Sequence, residues 1–240
     1  MLDVYLYNRC KNYSKDSSSH TKVKANGLRR DFVLNKGQLF HHKLYGEMPT
    51  TFVTPLQVLE PYCGEIPTRL VPFNVAYANK DYKSTVHFYI NDLGFLRVLR
   101  NPEKYLPFFK RCHSVIGTDL SQYADMSPED RYFSAYINSA FSAYLQRNGV
   151  KVIPNVTWSL PDSYCYSWTS MPKDSVIAIN CKGIMKNDAS KYLWMKGYEC
   201  ACNTLHPSHI IRYGTKMPNE NTAISLYFEN ERLNYMRHGR

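Results

Sequence analysis

An alternation of strand-like and helix-like segments between residues 84 and 214 is the feature that most constrains the fold. Short apolar runs, such as SVIAI at residues 175–179, are separated by longer stretches with helical patterning. Successive strand-like runs begin about 24 to 37 residues apart, which is close to the usual length of a βαβ unit. Strands that alternate with helices in this way predict a parallel sheet covered by helices.

The clearest helix is predicted over residues 127–149. Ser127 is a suitable N-cap, Pro128 suits the first helical position, and Asn148 with Gly149 supplies a stop signal. Apolar residues between these signals share one broad helical face. A second helix is predicted over residues 189–205, although Gly197 weakens it.

We therefore expect an α/β fold with a mostly parallel sheet, built either as a partial or distorted TIM-like barrel or as an open layered sheet. The α/β domain is predicted at residues 84–240. Residues 46–83 are rich in proline, which removes a backbone donor and disfavours long helices and central strands, so we expect an irregular wrapping segment there. Residues 1–45 are predicted to be a basic, partly flexible arm.

The charge balance favours a polyanionic partner. The chain carries 30 Lys and Arg against 20 Asp and Glu, a formal net charge of +10. Nine of the basic side chains and three of the acidic ones lie in the first 45 residues. We expect nucleic acid to contact this arm through Lys22, Lys24, Arg29 and Arg30, with a merely solvated arm as the alternative.

Several classes of protein lose support. No run approaches the ~18 apolar residues of a membrane span, so no membrane partner is expected. Seven scattered cysteines and the lack of a signal pattern favour a reduced, cytoplasmic location. The glycine-rich nucleotide-binding motifs, the serine-hydrolase elbow and the standard zinc patterns are absent from the sequence, so no zinc site is predicted.

Ligands of parallel α/β folds bind beyond the carboxyl ends of the strands, and two carboxylates are predicted there. Asp92 follows the first run of the regular region, and Asp119 follows the second. Such a pair can divide acid and base roles or hold a divalent cation between them. The alternative is that both acids are turn formers or helix caps.

Further candidates follow the later strands. Asn155 and Trp158 are predicted to position a substrate, although Trp158 alternatively closes the end of the sheet. Lys182 follows the fourth run directly after Asn180 and Cys181, and Arg212 with Tyr213 ends the fifth. The two cations are predicted to hold an anionic group of the substrate.

Over about residues 46–215 the chain resembles the domain-of-unknown-function family numbered 4417. The most specific pieces are GTDLS at 117–121, QRNGVKVIPNVTWS at 146–159 and the final strand ending in YG. Members of this family occur largely in phages, plasmids and other mobile elements of bacteria. The resemblance implies a mobile-element protein in the cytoplasm of a bacterial host, and it supplies no activity.

Three functions stay open at this point. The first is an enzyme that acts on nucleic acid or a nucleotide-like substrate at the carboxyl ends of the strands. The second is a non-catalytic accessory module that binds DNA or a host protein. The third is a barrel-type sugar hydrolase, which requires the carboxyl groups of Asp92 and Asp119 to lie about 5–9.5 Å apart.

Overall fold

A computed structural model describes residues 56–182, 184 and 188–229. Within them the strands are β1 (Leu70–Pro72), β2 (Thr85–His87), β3 (Ser114–Ile116), β4 (Val152–Ile153), β5 (Val176–Asn180), β6 (His209–Tyr213) and β7 (Ser225–Phe228). The α-helices are α1 (Phe73–Asn79), α2 (Leu96–Arg100), α3 (Pro102–Phe109), α4 (Pro128–Arg147), α5 (Tyr164–Ser167) and α6 (Asp188–Leu205). Short 3₁₀ turns cover Asp92–Gly94 and Pro161–Ser163. No helix among the described residues is long and apolar enough to cross a membrane.

All the strand pairs are parallel and follow chain order, which confirms the predicted α/β class. One sheet runs β1-β2-β3-β4 and the other β5-β6-β7. In the part of the chain that the structure describes, one parallel bridge, between Asn155 and Ala178, joins the two sheets. Its backbone hydrogen bonds run from Val156 N to the Ala178 carbonyl (2.9 Å) and from Ala178 N to the Pro154 carbonyl (2.8 Å).

The sheet curves strongly, as the contact between side chains of β2 and β6 shows. The rings of His87 and Tyr213 lie 4.5 Å apart between centroids, and Tyr89 stacks on Tyr213 at 4.9 Å. In a flat sheet these strands would be roughly 19 Å apart, since neighbours are spaced by about 4.8 Å. Pairing of β1 with β7 does not occur among the described residues, so a closed TIM-like barrel is not shown.

Apolar side chains fill both faces of this curved sheet. On the inner face, Ile116, Ile153 and Ile211 from three strands belong to one buried cluster. On the outer face, one cluster packs β2, β3 and β4 against helices α1 to α4, and another packs β5 and β6 against α6. Alternate residues of a strand face opposite sides, so Val86 points to the helices while His87 points inward.

The two predicted helices are confirmed as α4 and α6. Ser127 caps α4, with its Oγ accepting a hydrogen bond from Asp130 N at 3.1 Å. Gly149 follows the helix with a φ of +77°, which glycine adopts without strain. Gly197 lies inside α6 and does not end it.

The interpretation of residues 46–83 as irregular is wrong at residues 70–79, which form β1 and α1. Pro72 is tolerated because it ends β1, whose backbone pairs with β2 alone among the described strands. The predicted basic arm, including Lys22, Lys24, Arg29 and Arg30, lies outside the described residues.

Gly197 is explained by its contact with Trp158. The indole of Trp158 occupies the position where a Cβ on residue 197 would stand. The same indole lies 5.6 Å from the Trp194 ring and 5.7 Å from the Trp168 ring, between centroids. The close approach of α6 to this aromatic group therefore requires glycine at position 197.

We expect Gly197→Ala to lower the free energy of unfolding by about 1–3 kcal/mol, because the added methyl group displaces the indole. This would occur although alanine is favoured over glycine inside a helix by about 1 kcal/mol. Urea denaturation measures the change, with Asn203→Ala at an exposed position of α6 as the control. Stabilisation by both substitutions would contradict this packing. A smaller loss of stability from Gly197→Ala in a Trp158→Leu background than in the wild type would support it.

Candidate functional site

Five residues at the carboxyl ends of β2 to β5 form a closed chain of hydrogen bonds, here termed the polar ring: Tyr89, Asp119, Asn155, Asn180 and Lys182. The carboxylate of Asp119 lies between two side-chain amides. Asn155 Nδ2 donates to Asp119 Oδ1 at 3.4 Å, and Asn180 Nδ2 donates to Asp119 Oδ2 at 3.0 Å. Both carboxylate oxygens are therefore oriented by donors from neighbouring strands.

The other contacts close the polar ring. Asn180 Oδ1 accepts from Lys182 N at 2.7 Å, and Lys182 Nζ donates to the Tyr89 carbonyl at 3.0 Å. The Tyr89 hydroxyl donates to Asn155 Oδ1 at 2.9 Å. Each amide thus has a partner for its oxygen and another for its nitrogen, so its orientation is fixed by the hydrogen-bond network.

The loop that carries Asp119 is held by the elements around it. Leu120 N donates to Asn138 Oδ1 of α4 at 2.9 Å, and Asn155 Nδ2 donates to the Thr118 carbonyl at 3.0 Å. A Cβ on Gly117 would lie 2.6 Å from Ser142 Oγ and 3.3 Å from the Asn155 backbone nitrogen. The glycine of the GTDLS segment therefore allows the close approach on which the position of Asp119 depends.

The polar ring has a buried side and an open side. Tyr89 and Asn155 are 2% and 3% exposed, whereas Asp119 is half-buried and Lys182 is exposed. Burial, together with the nearby negative charge of Asp119, raises the pKa of Tyr89 well above its ordinary value. Tyr89 is therefore a neutral donor, and the carboxylate and ammonium groups are the ones within reach of a ligand.

His87 lies on the inner face of β2, beside Tyr89. Its Nδ1 accepts from Tyr89 N at 3.2 Å, so the proton of the neutral ring belongs on Nε2. Nε2 is buried and has no hydrogen-bond partner among the described residues. Burial, helped by the positive charge of Lys182, lowers the pKa of His87 to about 3.

The predicted anion-binding residue Arg212 is not brought to the polar ring. Tyr213 faces inward and stacks on Tyr89, so the preceding residue faces α6. Arg212 is fully buried there and forms an ion pair with Glu220, with Nε 2.9 Å from Oε1. Its guanidinium also lies 4.7 Å from the centroid of the Trp194 ring. Its charge is therefore balanced inside the fold.

Two other candidates also lie outside the polar ring. Asp92 begins the short 3₁₀ turn after β2, and its Oδ1 accepts from Ser121 Oγ at 3.3 Å. Trp158 packs on α6. Of the predicted residues, the polar ring therefore includes Asp119, Asn155 and Lys182, and Tyr213 lies against it by stacking on Tyr89.

Sequence reasoning missed Tyr89 and His87. The alternation of small polar and aromatic residues along STVHFY is the signal that could have placed both on the inner face. No group of three His, Cys, Asp or Glu side chains suited to a metal ion occurs within the described ranges. The divalent cation between Asp92 and Asp119 stays a prediction.

The buried His87 predicts a loss of stability in acid. Its folded-state pKa of about 3 lies below the ordinary value of about 6.5, so the unfolded chain binds the proton first as the pH falls. The contribution of His87 to the free energy of unfolding is fully present above pH 6.5. It decreases as the pH falls towards 3, by at most about 1.4 kcal/mol per pH unit.

Urea denaturation at several pH values measures this effect. We expect His87→Gln to flatten the decline between pH 6.5 and 4, and His209→Gln, at an exposed histidine, to leave it unchanged. Identical pH dependence in the wild type and His87→Gln would show that His87 does not carry the effect.

Comparison with known proteins gives a family for this fold and site. The family model described as "Domain of unknown function (DUF4417)" matches residues 56–229. The chain is 26% identical over 156 residues to the Gene 1 protein of Mycobacterium phage D29. The matched region covers 62% of this chain and 58% of that protein. The Gene 1 protein of Mycobacterium phage L5 is also 26% identical over 156 residues, covering 62% of this chain and 68% of that protein. No solved structure matches.

The chain therefore spans little more than half of the phage D29 relative. The family match includes every residue of the polar ring and each described strand and helix. On the extent of that match, the chain belongs to the DUF4417 family.

Proposed function

We propose that this chain is an enzyme that acts on a small nucleotide-like substrate at the carboxyl ends of its strands. The polar ring is the observation that carries the proposal. It places a half-buried carboxylate, oriented at both oxygens, beside an exposed ammonium group. Parallel α/β folds bind their ligands at this edge of the sheet.

Asp119 is the proposed general base. Its two amide donors come from Asn155 and Asn180, which fix the direction of the carboxylate without carrying charge. A positioned acid–base group contributes about 10²- to 10⁴-fold to a rate. Asn155 and Asn180 act as positioning residues, because they act on the substrate through Asp119.

Lys182 is the proposed anchor for a phosphate group. Within the described ranges its Nζ has one hydrogen bond, to the Tyr89 carbonyl, which leaves further donors for a ligand at this exposed position. Tyr123, on the loop that carries Asp119, exposes half of its side chain. An exposed aromatic ring on the loop that carries the carboxylate would suit a ligand that combines a base with a phosphate.

Charge favours a small substrate over a polymer. The described residues hold 17 Lys and Arg against 15 Asp and Glu, so this part of the chain is nearly neutral. A polyanion would gain little at the carboxyl edge, where acidic residues such as Asp92 and Asp119 follow the strands, whereas a single phosphate needs only one local cation. The similarity to phage proteins supports a role in a phage or another mobile element inside a bacterial host.

We expect Asp119→Asn to lower kcat by 10²- to 10⁴-fold while the substrate still binds. Lys182→Gln should weaken binding at least tenfold, since it removes the charge that holds the phosphate. Chromatography of nucleoside mono-, di- and triphosphates after incubation measures turnover, and calorimetry measures affinity.

Asp174→Asn is the matched control for Asp119→Asn. Asp174 is exposed before β5 and has a φ of +54°, a conformation that asparagine also adopts readily. A wild type that neither binds nor converts any nucleotide would refute the proposal. Binding that depends on Lys182 without turnover of any nucleotide would refute catalysis and leave a nucleotide-binding site without enzymatic activity.

A further inference from the structure

Basic side chains precede five consecutive strands of the fold. Arg69 comes directly before β1, Lys83 two residues before β2 and Arg111 three residues before β3. Lys151 comes directly before β4, and Lys173 three residues before β5. With two neighbours in the same turns they form the basic face, which we define as Arg69, Lys80, Lys83, Lys110, Arg111, Lys151 and Lys173. All seven are exposed.

The strand register puts these residues along one edge. Thr85 N donates to the Arg69 carbonyl at 3.0 Å, and Val115 N donates to the Lys151 carbonyl at 2.9 Å. The amino ends of parallel strands share an edge of the sheet, opposite the edge that carries the polar ring. The basic face therefore lies at the other end of the fold from Asp119.

Carboxylates balance little of this charge. No ion pair joins any of the five lysines of the basic face to a described carboxylate. Arg69 lies 3.7 Å from Asp81, whose carboxylate also accepts from Ser84 Oγ at 2.8 Å and so serves the turn before β2. The other acids before these strands are Glu60, Glu65 and Asp174, so the seven basic side chains still outnumber the carboxylates on this edge.

The opposite edge has the reverse charge. The acidic residues that follow the strands among the described residues include Asp92, Asp119, Asp125, Glu129, Asp130, Asp162 and Asp188. Asp162 and Asp188 form ion pairs with Arg131 and Lys191, so the other five carry most of the negative charge at this edge. Because the described residues are nearly neutral in total, the basic face reflects a separation of charge between two ends. Such a field would orient the fold with its amino edge towards a polyanion.

The shape and chemistry of the basic face suit a phosphate backbone. Measured along the curved edge, five neighbouring strands cover roughly 19 Å, a length that several nucleotides span. Arg111 is held in place because its guanidinium lies 3.7 Å from the centroid of the Tyr82 ring. Among the described residues, the exposed large apolar side chains are Val75, Leu93, Tyr123, Tyr192 and Leu226. None of them lies in the turns that contain the basic face, so the described part of this edge offers no apolar side chain to insert into a lipid surface.

We propose that the basic face binds the sugar-phosphate backbone of nucleic acid without reading its sequence. Phosphate contacts of this kind position a protein on nucleic acid and carry no base specificity. This proposal is independent of the enzyme proposal, because the two sites lie at opposite edges and share no residue.

The test uses the full chain, a fluorescent 20-base-pair DNA duplex and anisotropy measured over a range of salt concentrations. The face variant combines Lys83→Gln, Lys151→Gln and Lys173→Gln. The control variant combines Lys191→Gln, Lys196→Gln and Lys216→Gln, which removes the same charge from α6 and the β6–β7 loop. Urea denaturation checks that both variants fold.

We expect the face variant to bind DNA at least tenfold more weakly than the wild type. The slope of the logarithm of its binding constant against the logarithm of the salt concentration should be less steep by about 2.7, because each of three lost phosphate contacts contributes about 0.9. The control variant should keep at least half of the wild-type affinity, and Asp119→Asn should bind DNA as the wild type does. Equal losses in the face and control variants, or unchanged binding by the face variant, would overturn the proposal. So would binding to phosphatidylserine vesicles, lost in the face variant, with no binding to DNA.

Discussion

The carboxylate of Asp119 links three strands at the weakest point of the sheet. Backbone pairing between β4 and β5 consists of the single Asn155–Ala178 bridge. Asp119 accepts from Asn155 on one side of this junction and from Asn180 on the other. A hydrogen bond to a charged group stabilises a fold by about 1.5–3 kcal/mol, so the contacts that orient the proposed base also join the two sheets.

Curvature of the sheet completes this arrangement. It brings Tyr213 of β6 against Tyr89 and His87, so the buried side of the polar ring is closed by aromatic side chains. On the other side of β6, Arg212 and Glu220 form a buried ion pair beneath α6. The one strand therefore supports the site with Tyr213 and anchors the outer layer with Arg212.

Part of this arrangement could be predicted from the sequence. The caps at Ser127 and Gly149 and the regular spacing of apolar runs indicate α4 and a parallel sheet, because both depend on local chemistry. Asp119, Asn155 and Lys182 could be placed at one edge, because the carboxyl ends of parallel strands meet there.

The rest depended on contacts that local patterns do not contain. Arg212 was misplaced because the phase of a strand decides which of two neighbours faces the site, and an apolar strand buried on both faces hides that phase. Trp158 lies three residues beyond Asn155, so the sequence suggests that it belongs to the same site. Its indole instead packs against Gly197, a contact between distant parts of the chain that no local pattern indicates. The segment 70–79 was missed because the prolines of residues 46–83 suggested irregular chain, although a terminal position in β1 tolerates Pro72.

The most direct test of the central claim is a titration followed through the side-chain amide resonances of Asn155 and Asn180. If the polar ring is the ligand site, adenosine monophosphate shifts both amide pairs, and adenosine, which lacks the phosphate, shifts them far less. Resonance shifts confined to residues at the amino edge of the sheet, with both asparagine amide resonances unchanged at saturating nucleotide, would contradict the account.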